Sequence, residues 1–391
     1  MYEVDGKKSV RLDNYEVNAG DHAYVDELTR LSETDAGQLL DVGVDPREDG
    51  RLGTFIQKDS SVIHCSARQE GIEMMGIAQA RSLDPQLDDY IWKSISPDTD
   101  EFTSHVHKIP HGGYFIRAKA GVKTDQPLQT CLYMAKDGYS QNVHNIVIAE
   151  ENSEIHIING CATAPHLTSG LHVGVSEFYI KKGARVMFTM IHDWGKGINV
   201  RPRTVTHVEE GGVFVSNYIS LRPLGSLQMF PTTYLDGEGA VARFNSILVA
   251  GDGDFLDSGS RVVLNAPNTR AEIISRAIAA GGTIIARGDL HGKVKGIKAH
   301  LECKGLILKN GLMHAIPELR GYVPDLEMSH EAAVGKIDQR EIEYLMARGL
   351  DEDEAVSTIV RGFLNVDIDG LPPGLRKRLD EAISNSQKDM F

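Results

Sequence analysis

Residues 145–158 read NIVIAEENSEIHII, residues 177–189 read EFYIKKGARVMFT, and residues 213–216 read VFVS directly after Gly211 and Gly212. Each stretch sets a short run of Val, Ile, Phe or Tyr against a turn made by Asn, Ser or Gly. That is the pattern of strands, because β-branched and aromatic side chains pack on a pleated surface while Gly and Asn accept turn geometry. Residues 283–286 (TIIA) repeat it. The turns recur at Asn152, Gly183, Gly211, residues 237–239, Asn268, Gly281 and Gly311, mostly at intervals of roughly 27–31 residues, a spacing typical of stacked repeats. One interval is about half as long. A single rung cannot bury its own apolar face, so stacked rungs must share a core. The pattern predicts a β-solenoid. A large antiparallel sandwich or jelly roll would also give short strands with turns.

The ends read differently. Helical periodicity marks residues 22–31 and 70–80, and Pro85 precedes a possible helix through Tyr90, Ile91 and Trp92. Asp338 with Glu341, and Asp351 with Glu354, are capping-box signatures opening two helices, with Gly349 between them as a stop. Pro372 and Pro373 open a last charged helix through Ile383. The expected layout is an N-terminal helical region over residues 1–105, a β core over 106–324 and a C-terminal helical region over 325–391.

The chain has 391 residues, enough for a sizeable core without staples. It carries 41 Lys and Arg against 55 Asp and Glu, a net charge of −14, which argues against nucleic acid and anionic membrane as partners. No apolar run approaches the ~18 residues of a membrane span, and the N-terminus lacks a signal-peptide pattern. Four cysteines at long intervals, Cys65, Cys131, Cys161 and Cys303, fit reduced thiols in a cytoplasm better than a disulfide framework. There is no phosphate-binding P-loop, no strand-anchored G-x-G-x-x-G, no nucleophile elbow and no H-E-x-x-H, since Val334 stands where the second His would be. His105, His107 and His111 alternate as if on one strand face and read as solvated or core-satisfied side chains rather than a metal site.

The remaining candidates are few. Cys303 lies between Glu302 and Lys304, and an adjacent ammonium can lower a thiol pKa; a buried, inert thiol is the plainer reading. Cys161, between Gly160 and Pro165, reads as opening a loop after a strand. His330 and Glu331 could ligate iron or move a proton, or simply cap a helix.

Residues 328–338 (MSHEAAVGKID), 344–350 (YLMARGL) and 355–363 (AVSTIVRGF), together with 159–165 (NGCATAP), 181–194 (KKGARVMFTMIHDW) and the 288–305 stretch around Cys303, resemble the SufB/SufD family. The resemblance spans roughly residues 110–365. It implies a right-handed parallel β-helix with helical flanks, and a scaffold, not an enzyme, that assembles iron–sulfur clusters with a separate SufC-like ABC ATPase. On matching positions, Cys303 falls on the SufB-type cysteine that receives sulfur and holds the nascent cluster, with Glu331 and His330 as its iron-binding neighbours. Cys161 falls on the cysteine that accepts sulfur from a donor protein. His192 and Trp194 fall on the route between the two cysteines, His192 replacing the usual amide. The tail from Ile337 to Phe363 falls on the ATPase-binding region. The implied cargo is iron and a transient iron–sulfur cluster, held by a homodimer or with a SufD/SufB-type partner. An N-terminal cysteine cluster found in some SufB chains is absent. The rival readings are a β-solenoid that only docks partners and a carbohydrate-active β-helix enzyme.

Overall fold

A computed structural model describes residues 9–364. The charged helix expected after Pro372 lies outside the described residues. The core is a parallel β-solenoid of about eight turns. Each turn contributes one strand to each of two facing sheets.

Sheet one stacks Gly53–Lys58, Leu128–Met134, Glu154–Thr163, Arg185–Asp193, Val213–Ser220, Val241–Ala250, Arg270–Ala280, Lys298–Leu308 and Glu327–Gly335 in parallel, and Ser61–Ala67 adds antiparallel to Gly53–Lys58 at its first edge. Sheet two runs from Tyr114–Ala118 through Tyr139–Ala149 and Gly170–Ile180 to Phe255–Leu264, Thr283–Gly292 and Leu312–Gly321. At one register position Glu154, Arg185, Val213, Val241, Arg270, Lys298 and Glu327 follow one another at steps of 31, 28, 28, 29, 28 and 29 residues.

The corners explain the period. Gly121, Asn152, Gly183, Gly211, Gly239, Asn268, Gly296 and Asp325 all adopt the left-handed conformation, with φ between 59° and 76°. They form a column, and Asn152 N donates to Lys182 O, Gly183 N to Glu210 O and Gly211 N to Glu238 O, at 2.8–2.9 Å. Only Gly, and at lower frequency Asn or Asp, adopts this conformation cheaply, so one such residue per rung sets the turn. Gly281, at φ 100°, belongs to the opposite corner. The half-length interval in the sequence thus comes from counting two corners of one rung.

Alternation along the strands fills the space between the sheets. Phe178 of sheet two packs against Phe188 and Phe214 of sheet one with ring centroids 5.0 and 5.5 Å apart, and Phe214 reaches Phe244 at 5.9 Å. The short apolar runs of the sequence lie within strands of eight to eleven residues.

The N-terminal region is less helical than its periodicity suggests. Residues 22–31 contain only the short turn Leu28–Arg30, and 70–80 split into the strand Ile72–Gly76 and the helix Ile77–Leu83. Gly53–Lys58 joins sheet one instead, because its buried run continues the stack. The segment after Pro85 is a single 3-10 turn, Pro85–Asp89, and Trp92 sits at φ +59° rather than in a helix. His105 and His107 lie on the helix Glu101–Lys108, not on a strand. At the other end the solenoid runs past residue 324, its last strand ending at Gly335. Two helices follow, Gln339–Met346 and Glu352–Leu364. The second opens on a reciprocal box, Glu354 N donating to Asp351 Oδ1 and Asp351 N to Glu354 Oε2, at 2.8 and 3.0 Å. No described helix is long and apolar enough to cross a membrane.

Candidate functional site: two buried cysteines on one sheet

Cys161 lies within the strand Glu154–Thr163, not in a loop, because the buried run continues through Thr163. It is 1% exposed. Thr130 Oγ1 donates to Asn159 Oδ1 at 2.7 Å, which turns the Asn159 amide so that Nδ2 donates to Cys161 Sγ at 3.3 Å. Burial pushes the thiol up to about 12, against the pull of Asn159. The register partner of Cys161 in the next rung is His192.

Around this pair the interior is polar and uncharged. Tyr218 OH lies 2.9 Å from His192 Nδ1, and Trp194 packs edge-on to His192 at 5.5 Å. From sheet two, His172 meets Trp194 at 4.9 Å. Gln141 Nε2 donates to the carbonyls of Asp59 and Tyr133 at 2.9 and 3.2 Å, so its Oε1 faces His172 Nδ1 at 2.9 Å. That geometry assigns the proton of His172 to Nδ1. Burial pushes His172 down to about 3 and His192 well below its usual range, the latter also through His172. Both imidazoles are therefore neutral at pH 7. Trp194 Nε1 is buried without a hydrogen-bond partner among the described residues.

Cys303 is five rungs further along the same sheet, about 24 Å away at the ~4.8 Å spacing of strands. It is fully buried with Leu301 and Ala299 on the inner face, and burial pushes its thiol up to about 11. The expected activation by Lys304 does not occur. Adjacent residues on a strand point to opposite faces, and Lys304 Nζ is engaged outside by Glu302 Oε2 at 3.1 Å and Glu331 Oε1 at 3.4 Å. Arg276 completes this outer cluster through an ion pair with Glu302. Burial raises the Glu302 carboxyl, but Lys304 and Arg276 outweigh it and hold the group below its ordinary range.

His330 and Glu331 belong to the strand Glu327–Gly335 and cap no helix. His330 pairs with Leu301 and Glu331 with Glu302, while Cys303 pairs with Ala332. His330 therefore shares the face of Cys303, and Glu331 lies on the other. Among the described residues no group of three or more His, Cys, Asp and Glu is arranged to hold a metal ion. Cys131 is buried and Cys65 half-buried.

Sequence reasoning missed Asn159, Thr130, His172, Tyr218 and Arg276. The signal that finds most of them is the rung period: Asn159 is the register partner of Thr130, and Arg276 of Lys304. His172 comes from the facing sheet, which no in-sheet register reveals.

The family described as SUF system FeS cluster assembly, SufBD core domain, matches residues 132–363, the solenoid from its early rungs through the C-terminal helices. A protein of Archaeoglobus fulgidus named iron-sulfur cluster assembly SufBD family protein is 48% identical over 358 residues, 91% of this chain and 96% of its own length. A protein of the same name from Methanothermobacter thermautotrophicus is 47% identical over 378 residues, 95% of this chain and 92% of its own. A Staphylococcus aureus relative with the same family name is 32% identical over 80% of this chain and 69% of its own. With its solenoid, its buried cysteine pair and these likenesses along nearly its whole length, the chain belongs to the SufBD family of iron–sulfur cluster assembly proteins.

Proposed function

We propose that the chain is a scaffold, without turnover chemistry of its own, on which sulfur and iron are built into a nascent cluster between two chains. The observation that carries this reading is the last rung. Cys303, His330 and Glu331 lie within two register positions on the two final strands of sheet one, and the outermost strand is an open edge. One thiolate, one imidazole and one carboxylate are fewer ligands than the four protein ligands usual for a cluster. A second copy, or a SufD/SufB-type partner, would supply the rest by adding its strands to this edge. Leu312, Leu319, Tyr322 and Val334 are exposed at the same end, which suits a covered interface.

Sulfur would enter at Cys161. Its thiolate attacks the outer sulfur of a donor persulfide; the donor S–S bond breaks, a new one forms on Cys161, and the donor leaves as a thiolate. Sulfur then passes toward Cys303, with His192 and Trp194 beside its starting point. Release as sulfide takes two electrons from a separate reductant. Both thiols are held protonated by burial, so sulfur transfer calls for a form in which they are exposed. A SufC-like ABC ATPase bound at the helices Gln339–Met346 and Glu352–Leu364 would supply the opening. Free cysteines and this cargo suit the cytoplasm.

The burial of Cys303 is what a purely docking solenoid would also show, and one experiment separates the two. Wild type and Cys303→Ala are reconstituted anaerobically with iron and a sulfide source, alone and with the ATPase partner. Charge-transfer absorption and bound iron and sulfide are measured. Loading that disappears in Cys303→Ala supports the scaffold. Equal loading of both chains, or none under either condition, leaves the docking role.

A further inference from the structure

A cavity of about 510 Å³ lies outside the solenoid, between the N-terminal segment and the outer face of sheet two. Its volume falls within the range of small-molecule sites. Arg81, Ile91, Trp92, Lys93, His107 and His144 line it. None of these residues takes part in the cysteine chemistry.

The cavity is built around Trp92. The indole meets the His107 ring edge-on at 5.3 Å and the His144 ring at 4.4 Å. Its backbone is held at φ +59°, a conformation a bulky residue rarely adopts. The restraint is visible. Glu177, fully buried on sheet two, accepts from Trp92 N and Ser94 N at 2.6 Å each and from Ile95 N at 3.3 Å. The same carboxylate sits 2.8 Å from His144 Nε2. His144 thus commits one ring nitrogen to Glu177, and Nδ1 remains as its other polar atom. Strain at a residue that several other groups hold in place is a mark of a functional site.

Arg81, Asp88 and Lys93 all line it, and Asp88 pairs with Arg81 Nε at 2.6 Å, so Lys93 is the cation left to meet a ligand. No ion pair is formed by Lys93 among the described residues. In a chain of net charge −14, an aromatic floor for stacking beside the uncompensated Lys93 ammonium suits a flat ring that carries an anionic group.

We propose that this cavity binds a small planar anion, its ring against Trp92 and its acidic group toward Lys93. The inference does not rest on the scaffold reading, and its test does not measure cluster loading.

The chain has two tryptophans, so Trp194→Phe leaves Trp92 as the only reporter. This full-length variant is titrated with 8-anilinonaphthalene-1-sulfonate, a planar anion, and with N-phenyl-1-naphthylamine, its neutral analogue. The expected result is saturable, one-site quenching of Trp92 by the sulfonate. Lys93→Glu should weaken it about tenfold, the size of a lost charged hydrogen bond. The neutral probe should bind weaker by a similar factor. Equal affinity for the two probes, affinity unchanged in Lys93→Glu, or no saturable quenching each overturns the proposal. If Trp194→Phe does not fold, the same comparisons are read from probe emission with the native chain, Trp92→Ala and Lys93→Glu.

Discussion

Glu331 is the register partner of Glu302, not of Cys303, so the pleat sends the carboxylate and the thiol to opposite faces of sheet one. For both to reach one iron, the strand Glu327–Gly335 must slip by one residue or leave the sheet, since a one-residue slip exchanges the faces of every side chain. Ala299 and Met328 are register partners on the inner face, at a spacing a disulfide can span. The double variant Ala299→Cys/Met328→Cys, oxidised, should keep its fold and lose cluster loading, and reduction should restore it. Equal loading of the oxidised and reduced forms, measured by bound iron, would show that both groups act without a slip.

Glu177 organises the N-terminal segment. Burial raises its carboxyl, but the His144 hydrogen bond, the His144 charge and the backbone donors outweigh burial and hold it below its ordinary 4.5. A lowered acid stabilises the fold above the unfolded-state pKa, and the contribution is lost as pH falls through the folded-state value. The acid limb of the wild-type stability curve should therefore begin near pH 4.5 and steepen below it. Glu177→Gln should cost about 2–3 kcal/mol at neutral pH, since the amide cannot serve every donor that converges there. Urea melts from pH 3 to 7, followed by tryptophan fluorescence, measure both effects. An unchanged acid limb in Glu177→Gln would assign it to other carboxylates.

Much of the solenoid was legible because its determinants are local. A left-handed residue at each corner and alternation between corners are both written along the chain, as at Gly183 and Arg185. Strand length was not, since nothing local distinguishes the end of an apolar run from the middle of a longer strand. In sequence Cys161 reads as a loop residue for that reason. The N-terminal strand Gly53–Lys58 pairs locally with Ser61–Ala67, but its place in the solenoid depends on Leu128–Met134, some 75 residues away. At the site, the family pattern pointed to Cys303, His330 and Glu331, but which face each occupies depends on register. The neighbour Lys304 looked activating in sequence and lies across the sheet in space.

Asp289 shows a second way in which register builds a network. Its side chain is fully buried on sheet two, with Arg261 Nε at 2.7 Å, His291 Nε2 at 2.8 Å and Arg320 Nε at 3.6 Å. Removing one partner of a buried pair costs more than removing both, because the survivor keeps its desolvation penalty. Arg261 is 36% exposed and Asp289 keeps His291 and Arg320, so Arg261→Met should destabilise the chain by about 1–2 kcal/mol, and Arg261→Met/Asp289→Leu should recover most of the loss. Guanidinium melts of the two variants and of Asp289→Leu complete the cycle. A double variant no more stable than Arg261→Met would mean that Arg261 contributes through packing on Phe230, whose ring lies 5.1 Å from its guanidinium.

The open edge at Glu327–Gly335 and Leu312–Gly321 leads to the last prediction. An exposed parallel edge offers unpaired backbone groups to any matching strand, and proteins that keep such an edge free usually guard it with charge or proline. Here it carries Val334 and Leu319, 40% and 39% exposed; Pro317 guards Leu312–Gly321, but Glu327–Gly335 has no proline. Sheet continuation across two chains would bury both. The chain should therefore associate with concentration in sedimentation velocity. Val334→Pro, which removes a backbone donor, and Leu319→Lys, which places charge in the interface, should each shift it to monomer. These positions lie at the edge of the stack, so the far-UV spectrum should not change. If either variant stays as associated as wild type, the contact between copies lies elsewhere. The last rung would then have to be completed by a different chain, which pull-down with a SufD/SufB-type partner, with and without Val334→Pro, would detect.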